Sequence, residues 1–174
     1  MTTPMRSGTV VMQATDAPKE APTPKKYDFI VIGAGSGGLG CGRRAAALGK
    51  NVAIIENKDI GGTCVNVGCV PKKVMWNLAN FLEEAHFMKH YAVKGADQLE
   101  LDFPAFKVAR DAYVKRLNGI YEKNVKKDDI SYYEGSASFQ DAKTIVTSTG
   151  DVLTADHILI ATGSAPNVPN FPGG

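Results

Sequence analysis

Three cysteines in 174 residues is a small and odd number. A secreted disulfide scaffold needs more of them, in pairs, so that class is excluded and each thiol needs another reason to be present. Charge of one sign is also lacking, since 20 Lys and Arg stand against 18 Asp and Glu for a net of +2. A chain so balanced has neither the basic excess of a nucleic-acid binder nor a polybasic membrane anchor, so neither partner is expected. Long apolar runs are missing, which excludes a bilayer-spanning segment. Aromatic residues are only 8% of the chain, with one Trp, yet 44% of the residues are apolar, alongside 18 Gly and 9 Pro. That balance fits one soluble globular domain with a proper core and argues against a collagenous or mainly disordered chain.

Residues 1–26 contain no aromatic residue, and Pro18, Pro22 and Pro24 crowd their second half. So little apolar surface cannot offset the entropy of ordering, so a disordered leader is expected there and a folded domain over 27–174. The leader lacks the apolar core of a secretory signal. It holds one Arg (Arg6) followed by Asp16 and Glu20, unlike an Arg-rich, acid-poor presequence. The compartment expected is therefore the cytoplasm, with mitochondrial import the weaker alternative.

From Tyr27 the run YDFIVIG reads as a buried strand, and a small-residue helix follows to about Leu48, ended by Gly49. Val52–Glu56 reads as a second buried strand, and strand–helix–strand order implies a parallel pair with a right-handed crossover. A helix is expected from about Cys64 to His90, with Val74, Leu78, Phe81, Leu82 and Ala85 on one face. Pro104 suits the first turn of another, striped by Phe106, Ala109, Tyr113, Leu117 and Ile120. Short strands follow: SYYEGSASF, TIVTS, DVLTA and HILIA. The fold class is α/β, Rossmann-like, with a parallel sheet, long helices and a small β-meander.

Between the first strand and its helix stands Gly33-Ala34-Gly35-Ser36-Gly37-Gly38, a G-x-G-x-x-G fingerprint. Its first glycine permits a tight turn, its second lets a pyrophosphate approach the backbone, and its third lets helix pack on strand. The helix start offers unpaired N–H groups to phosphate. Glu56, about 20 residues on and ending the second strand, suits the ribose of an adenosine. A glycine-rich turn without a ligand is the plain alternative, and the motif does not separate NAD from FAD.

Residues 61–73 read GGTCVNVGCVPKK. Two cysteines five apart at a helix start can reach disulfide distance if the turn is distorted, which Gly68 eases. A helix N-terminus and the cation of Lys72 favour thiolate, the form that attacks disulfides. Buried structural thiols or half a zinc site are the alternatives, although zinc favours closer spacing and further ligands.

This motif, behind GAGSGG and an acid-ended strand, resembles the flavin disulfide reductase family, and in particular its glutathione reductase branch. The likeness continues through VMWN, RDAYVKRLNGIY and HILIATGS and covers roughly 27–165. Related thioredoxin and trypanothione reductases share the cysteine motif but usually differ near Val74-Met75-Trp76 and Arg43. The resemblance implies an FAD-binding domain, with pyrophosphate at Gly33, Gly35, Ser36, Gly37 and Gly38 and ribose at Glu56. It places Gly62, Thr63 and Cys64 along the flavin, Ala137 at the adenine end through its backbone, and Thr162 and Gly163 at the cofactor. It makes Cys69 the thiol nearest the flavin, Cys64 the interchange thiol that attacks glutathione disulfide, and Lys72 a charge beside the reactive ring edge. Ser36, Arg43 and Tyr113 are implied to hold and gate glutathione disulfide. A solvated Arg43 and a core Tyr113 are the alternatives.

Full-length members of the family also carry a second fingerprint for NADPH and a dimerisation domain that supplies an acid/base His. Neither motif occurs in these 174 residues. The domain is therefore expected to be incomplete, with no NADPH-dependent turnover from this chain alone. A non-enzymatic FAD- or nucleotide-binding short form is the alternative. No metal site is expected: His86 and His90, four apart near Glu83, read as a solvated helix face. Lys123–Asp129 reads as a charged helix end, and Cys41 as a small packing residue.

Overall fold

The computed structural model describes residues 23–173. The expected leader falls mostly on residues outside these, but its last two, Lys25 and Lys26, already belong to the first strand, β1 (Lys25–Ile32). The helix α1 (Ser36–Ala47) follows the glycine turn. Gly49 ends it at φ 79°, its N–H donating to the Ala46 carbonyl at 2.8 Å. The strand β2 (Val52–Glu56) lies parallel to β1, Ile30 opposite Ala53, as strand–helix–strand order requires.

The expected Cys64–His90 helix is two helices. A five-residue turn, α2 (Gly62–Asn66), is separated from α3 (Cys69–Phe87) by Val67 and Gly68, and a 3-10 turn (Met88–Tyr91) completes the run. The reason for the break is local: a Cβ on Gly68 would lie 2.9 Å from the Thr63 carbonyl oxygen, so the chain doubles back on α2 where only glycine fits. The helix α4 (Phe103–Lys127) opens with Asp102 as its cap, accepting from the Ala105 N–H at 2.9 Å, and with Pro104 in its first turn.

The strand run SYYEGSASF also divides, into β3 (Ser131–Glu134) and β4 (Ala137–Phe139), whereas DVLTA and HILIA merge into one strand, β6 (Val152–Ile160), after β5 (Thr144–Thr147). Sheet order is β3-β2-β1-β6-β5-β4, with β3, β2, β1 and β6 parallel and the last two antiparallel. β3 and β4 are thus opposite edges joined by two residues. A flat sheet of this size would hold its edges about 24 Å apart, whereas three Cα steps span at most about 11 Å. The sheet must therefore curl, and the meander returns over one face of the parallel strands.

Two cores result. On the helix face, Val31, Val52 and Ile54 pack with Leu39, Ile60, Val125 and Ile130. On the meander face, Ile30, Ala53 and Ile55 pack with Tyr27, Ile145, Leu153 and Ala155. Strand alternation distributes neighbouring residues to the two sides. Neither long helix buries the expected stripe. On α3, Val74 and Leu78 are half-buried and Ala85 buried, but Phe81 is 67% exposed and Leu82 is also exposed. On α4 the buried side is Val114, Leu117, Asn118, Tyr121 and Val125, while Ala109, Tyr113 and Ile120 face solvent.

Candidate active site

The glycine turn, the cysteine motif and the end of β6 meet at the carboxyl end of the parallel strands. Gly33 takes φ 106°, and a Cβ there would lie 2.4 Å from the Ala161 carbonyl oxygen and 3.3 Å from the Thr162 Cα. This brings Thr162 and Gly163 beside the turn. A Cβ on Gly38 would fall 1.8 Å from the Gly33 carbonyl oxygen, so these two glycines are demanded by packing. The other two are not. A Cβ on Gly37 meets nothing within 4 Å, and one on Gly35 only the Gly62 Cα at 3.8 Å. Bare backbone in open space at the first turn of a 12-residue helix fits an approaching pyrophosphate.

Glu56 closes this turn. Its carboxylate accepts from the Ala34 N–H at 2.7 Å and from the Lys58 N–H at 2.9 Å, and its carbonyl accepts from the Gly135 N–H at 2.7 Å. A carboxylate offers about four acceptor positions, so capacity remains for ribose hydroxyls. The Gly135 link also places Ala137, two residues on at the start of β4, near the same strand end.

The cysteine motif is seated directly on the fingerprint. The Gly61 N–H donates to the Ala34 carbonyl at 2.8 Å, and Gly62, at φ 60°, packs so closely that a Cβ would stand 2.7 Å from the Gly35 Cα. Thr63 and Cys64 then lie on α2, and Cys69 is the first residue of α3. Cys64 is half-buried and Cys69 exposed, both as thiols. Contrary to the lowering expected at a helix start, the Cys64 thiol is pushed up, first by the neighbouring Cys69 side chain and then by burial. Two thiols that share one locus hold back each other's ionisation. The Ser36 hydroxyl acts the other way on Cys64. Lys72 is exposed in the first turn of α3, its N–H bonded to the Gly68 carbonyl.

Beside the turn lies a cavity of about 340 Å³ lined by Ser36, Leu39, Gly40, Arg43, Gly61 and Tyr121. Ser36 and Arg43 thus line one cavity. Arg43 is half-buried and its Nε donates to Asp128 at 2.5 Å, so it is not a freely solvated side chain. Tyr113 is not brought to this cavity. It stands 42% exposed on α4 with the Arg116 guanidinium 5.0 Å from its ring centroid, and it is no core residue either. Tyr121, two turns further along the same helix, lines the cavity.

The sequence reading also missed Asn66, Asn118 and Asp128, which tie the site's loops and Arg43 to α4. Cys41, read as a packing residue, is exposed on α1; Gly42, next to it, is the packing residue, with the Ile54 side chain 2.9 Å from where its Cβ would be. His86 and His90 are exposed, their ring centres 5.9 and 6.4 Å from the centre of the Phe87 ring. Among the described residues no helix is long and apolar enough to cross a membrane.

Fold and site together define an α/β module of Rossmann type carrying a glycine fingerprint and a paired-thiol motif. The chain belongs to the pyridine nucleotide-disulphide oxidoreductase family, which its residues 27–174 match. It is similar to the glutathione reductase of Yarrowia lipolytica, 44% identical over 159 residues (84% of this chain, 34% of that protein). It is likewise similar to those of Debaryomyces hansenii, 44% over 176 residues (86% and 36%), and Schizosaccharomyces pombe, 45% over 160 residues (88% and 34%). The chain spans about a third of the length of these relatives.

Proposed function

We propose that this chain forms the flavin-holding, thiol-bearing part of a disulfide reductase acting on glutathione disulfide with NADPH. The observation that carries the reading is the backbone contact of Gly62 on Gly35, which seats Cys64 and Cys69 against the dinucleotide turn. In this reading Gly33, Gly35, Ser36, Gly37 and Gly38 hold the pyrophosphate of FAD, and Glu56 its ribose. Gly62, Thr63, Cys64, Lys72, Ala137, Thr162 and Gly163 complete the cradle. FAD, when bound, supplies a two-electron carrier. The cavity with Ser36 and Arg43 receives a glutathione arm, the Arg43 guanidinium meeting a carboxylate, and the exposed Tyr113 gates the glutathione disulfide.

The chain's own chemistry is thiol–disulfide exchange. Cys64 thiolate attacks one sulfur of glutathione disulfide, forming a mixed disulfide and releasing one glutathione thiolate, which takes up a proton. Cys69 thiolate then attacks the Cys64 sulfur, forming the Cys64–Cys69 bridge and releasing the second glutathione. Two thiols are oxidised and one disulfide reduced. The 174 residues contain one dinucleotide fingerprint, so assayed by themselves they are expected to give no NADPH-dependent turnover. The family's homodimer is part of the same proposal.

Two measurements test it. Reconstitution with FAD should leave a yellow protein with a flavin absorbance band after gel filtration. The Cys69→Ser chain, unable to resolve, should accumulate glutathione on Cys64 by peptide mass spectrometry. Tight NAD binding with no retained flavin, or glutathione on Cys41 in place of Cys64, overturns the reading.

A further inference from the structure

We propose that Asn118 is a positioning residue for the thiol pair: through Asn66 it sets how readily Cys64 and Cys69 bridge. The inference rests on the redox reading of that pair, but not on FAD or NADPH.

The helix that carries Cys64 cannot hold its own place. α2 is five residues, barely one turn, and a turn of that length has no independent stability. Its attitude is imposed from outside. The half-buried Asn118, at the middle of α4, donates its side-chain N–H groups to the Ile60 carbonyl at 2.7 Å and to Asn66 Oδ1 at 2.8 Å. An amide nitrogen has two hydrogens, so the donor capacity of Asn118 is fully used. Donation to Oδ1 fixes which way the Asn66 amide faces. Its Nδ2 is turned to the loop, within 2.9 Å of the Gly62 carbonyl and 3.2 Å of the Ile60 and Asp59 carbonyls, so that its two hydrogens serve three acceptors with one shared.

The result is a two-amide bracket. It grips the loop that enters α2 and the last residue of α2, with Cys64 between. The chain then leaves α2 by the tightest path available, the Val67 N–H donating to the Thr63 carbonyl at 3.0 Å and Gly68 lying against that same oxygen. Cys69 starts α3 immediately after. With the Val67–Gly68 link so short, the approach of the two sulfurs depends on how α2 is held, and among the described residues the bracket supplies the side-chain hydrogen bonds that tie α2 to α4.

The experiment is a glutathione redox titration of the whole chain, read by differential alkylation and mass spectrometry. The equilibrium is Cys64-SH + Cys69-SH + GSSG ⇌ Cys64–S–S–Cys69 + 2 GSH. Asn118→Asp preserves size but reverses the bonding, since a carboxylate cannot donate to Asn66 Oδ1 or to the Ile60 carbonyl. It should lower the oxidation equilibrium constant on the order of tenfold, because the effective concentration of one thiol at the other falls with misplacement. Asn118→Ala should lower it less, and Asn124→Ala, on the same helix without side-chain bonds to the loop, not at all. A constant within twofold of the unaltered chain in a folded Asn118 variant overturns the inference. Should neither variant fold, the side-chain amide signals of Asn66 and Asn118 in the unaltered protein decide: they should shift when the bridge forms, and invariance overturns it. An unaltered chain that forms no Cys64–Cys69 bridge at any ratio overturns the redox reading itself, and this inference with it.

Discussion

The glycine turn and the two long helices were both predicted from short-range patterns, and they fared differently. Around Gly33–Gly38 the strand, the turn and the helix stand where the sequence puts them, and two of the four glycines are forced by contacts under 3 Å from a would-be Cβ. On α3 and α4, apolar periodicity picked faces that the fold leaves substantially open, with Phe81, Leu82, Tyr113 and Ile120 all exposed. A tight turn is dictated by the chain's own backbone, so its residues carry the whole instruction. A helix face is chosen by whatever lies opposite, and a stripe of apolar residues does not name its partner. The difference is one between sterics, which are local, and burial, which is relational.

The steepest test of that difference lies within the fingerprint. Gly38→Ala places a methyl 1.8 Å from the Gly33 carbonyl oxygen, and backbone cannot yield as a side chain can. The loss should exceed about 4 kcal/mol, as much as a marginally stable domain possesses, and remove the cooperative urea transition. Gly37→Ala, one residue earlier with open space around it, should leave stability unchanged or raise it by about 0.5–1 kcal/mol, as Ala for Gly in a helix does. Flavin retention should nevertheless fall, because that open space is where the cofactor is proposed to approach. Equal destabilisation by both would show that the turn is not governed by sterics alone.

The helices supply the next contrast. Ile54 is fully buried between β2 and α1, and Ile54→Ala should cost about 2–5 kcal/mol in denaturant unfolding. Phe81→Ala removes a larger apolar side chain from α3, yet at 67% exposure its effect should stay within about 0.5 kcal/mol. A loss at Phe81 near that at Ile54 would mean that the α3 stripe is covered in solution.

What could be read from the sequence follows the same line. β2 matches to the residue because a run of four apolar residues closed by Glu56 has one sensible strand in it. The helix break at Val67–Gly68 was missed, since apolar periodicity runs through it and only the closeness of Gly68 to Thr63 reveals it. SYYEGSASF reads as one short strand. Its division at Gly135, where φ is 131° and a Cβ would stand 2.5 Å from Ser148 Oγ, depends on a meander that comes later in the chain. The same limit explains the site. Ser36, Glu56 and the cysteines announce themselves by motif, whereas Tyr121, Asp128, Asn66 and Asn118 matter through what they reach across 50 residues or more, or through a neighbour that does.

Cys64 gives a milder test, on protonation. Its thiol is raised by the adjacent Cys69 before any contribution from burial, against the local rule for a helix start. Cys69→Ser should therefore move the pH profile of Cys64 alkylation by iodoacetamide to lower pH. The linkage sign follows: a thiol raised on folding contributes stability below its unfolded value and loses it as pH rises through the folded one. The variant should show a weaker loss of stability over that alkaline window. A Cys64 profile unmoved by Cys69→Ser would return the thiol to the control of its own helix turn.

The smallest effect is expected at the other end of the sheet, where β1 begins two residues earlier than the sequence suggested. Lys25 Nζ sits 2.9 Å from Asp151 and 5.1 Å from the centre of the Tyr133 ring, joining the start of β1 to the residue before β6. The ammonium holds the Asp151 carboxyl below its ordinary value, with Thr149 adding to the effect. Both partners are well exposed, so solvent and salt screen the attraction and ordering the long lysine chain opposes it. Lys25→Met should accordingly raise the Asp151 carboxyl toward its ordinary value in an NMR titration while leaving the melting temperature nearly unchanged. The sign is that of a depressed acid: whatever stability the pair gives is present at neutral pH and fades as pH falls through the folded value of Asp151. Raising salt should shrink the titration shift in the unaltered chain. A marked drop in melting temperature would show that Lys25 anchors β1 to β6 through its packed stem over Tyr133, and that the early start of the strand is a relational feature like the helix faces.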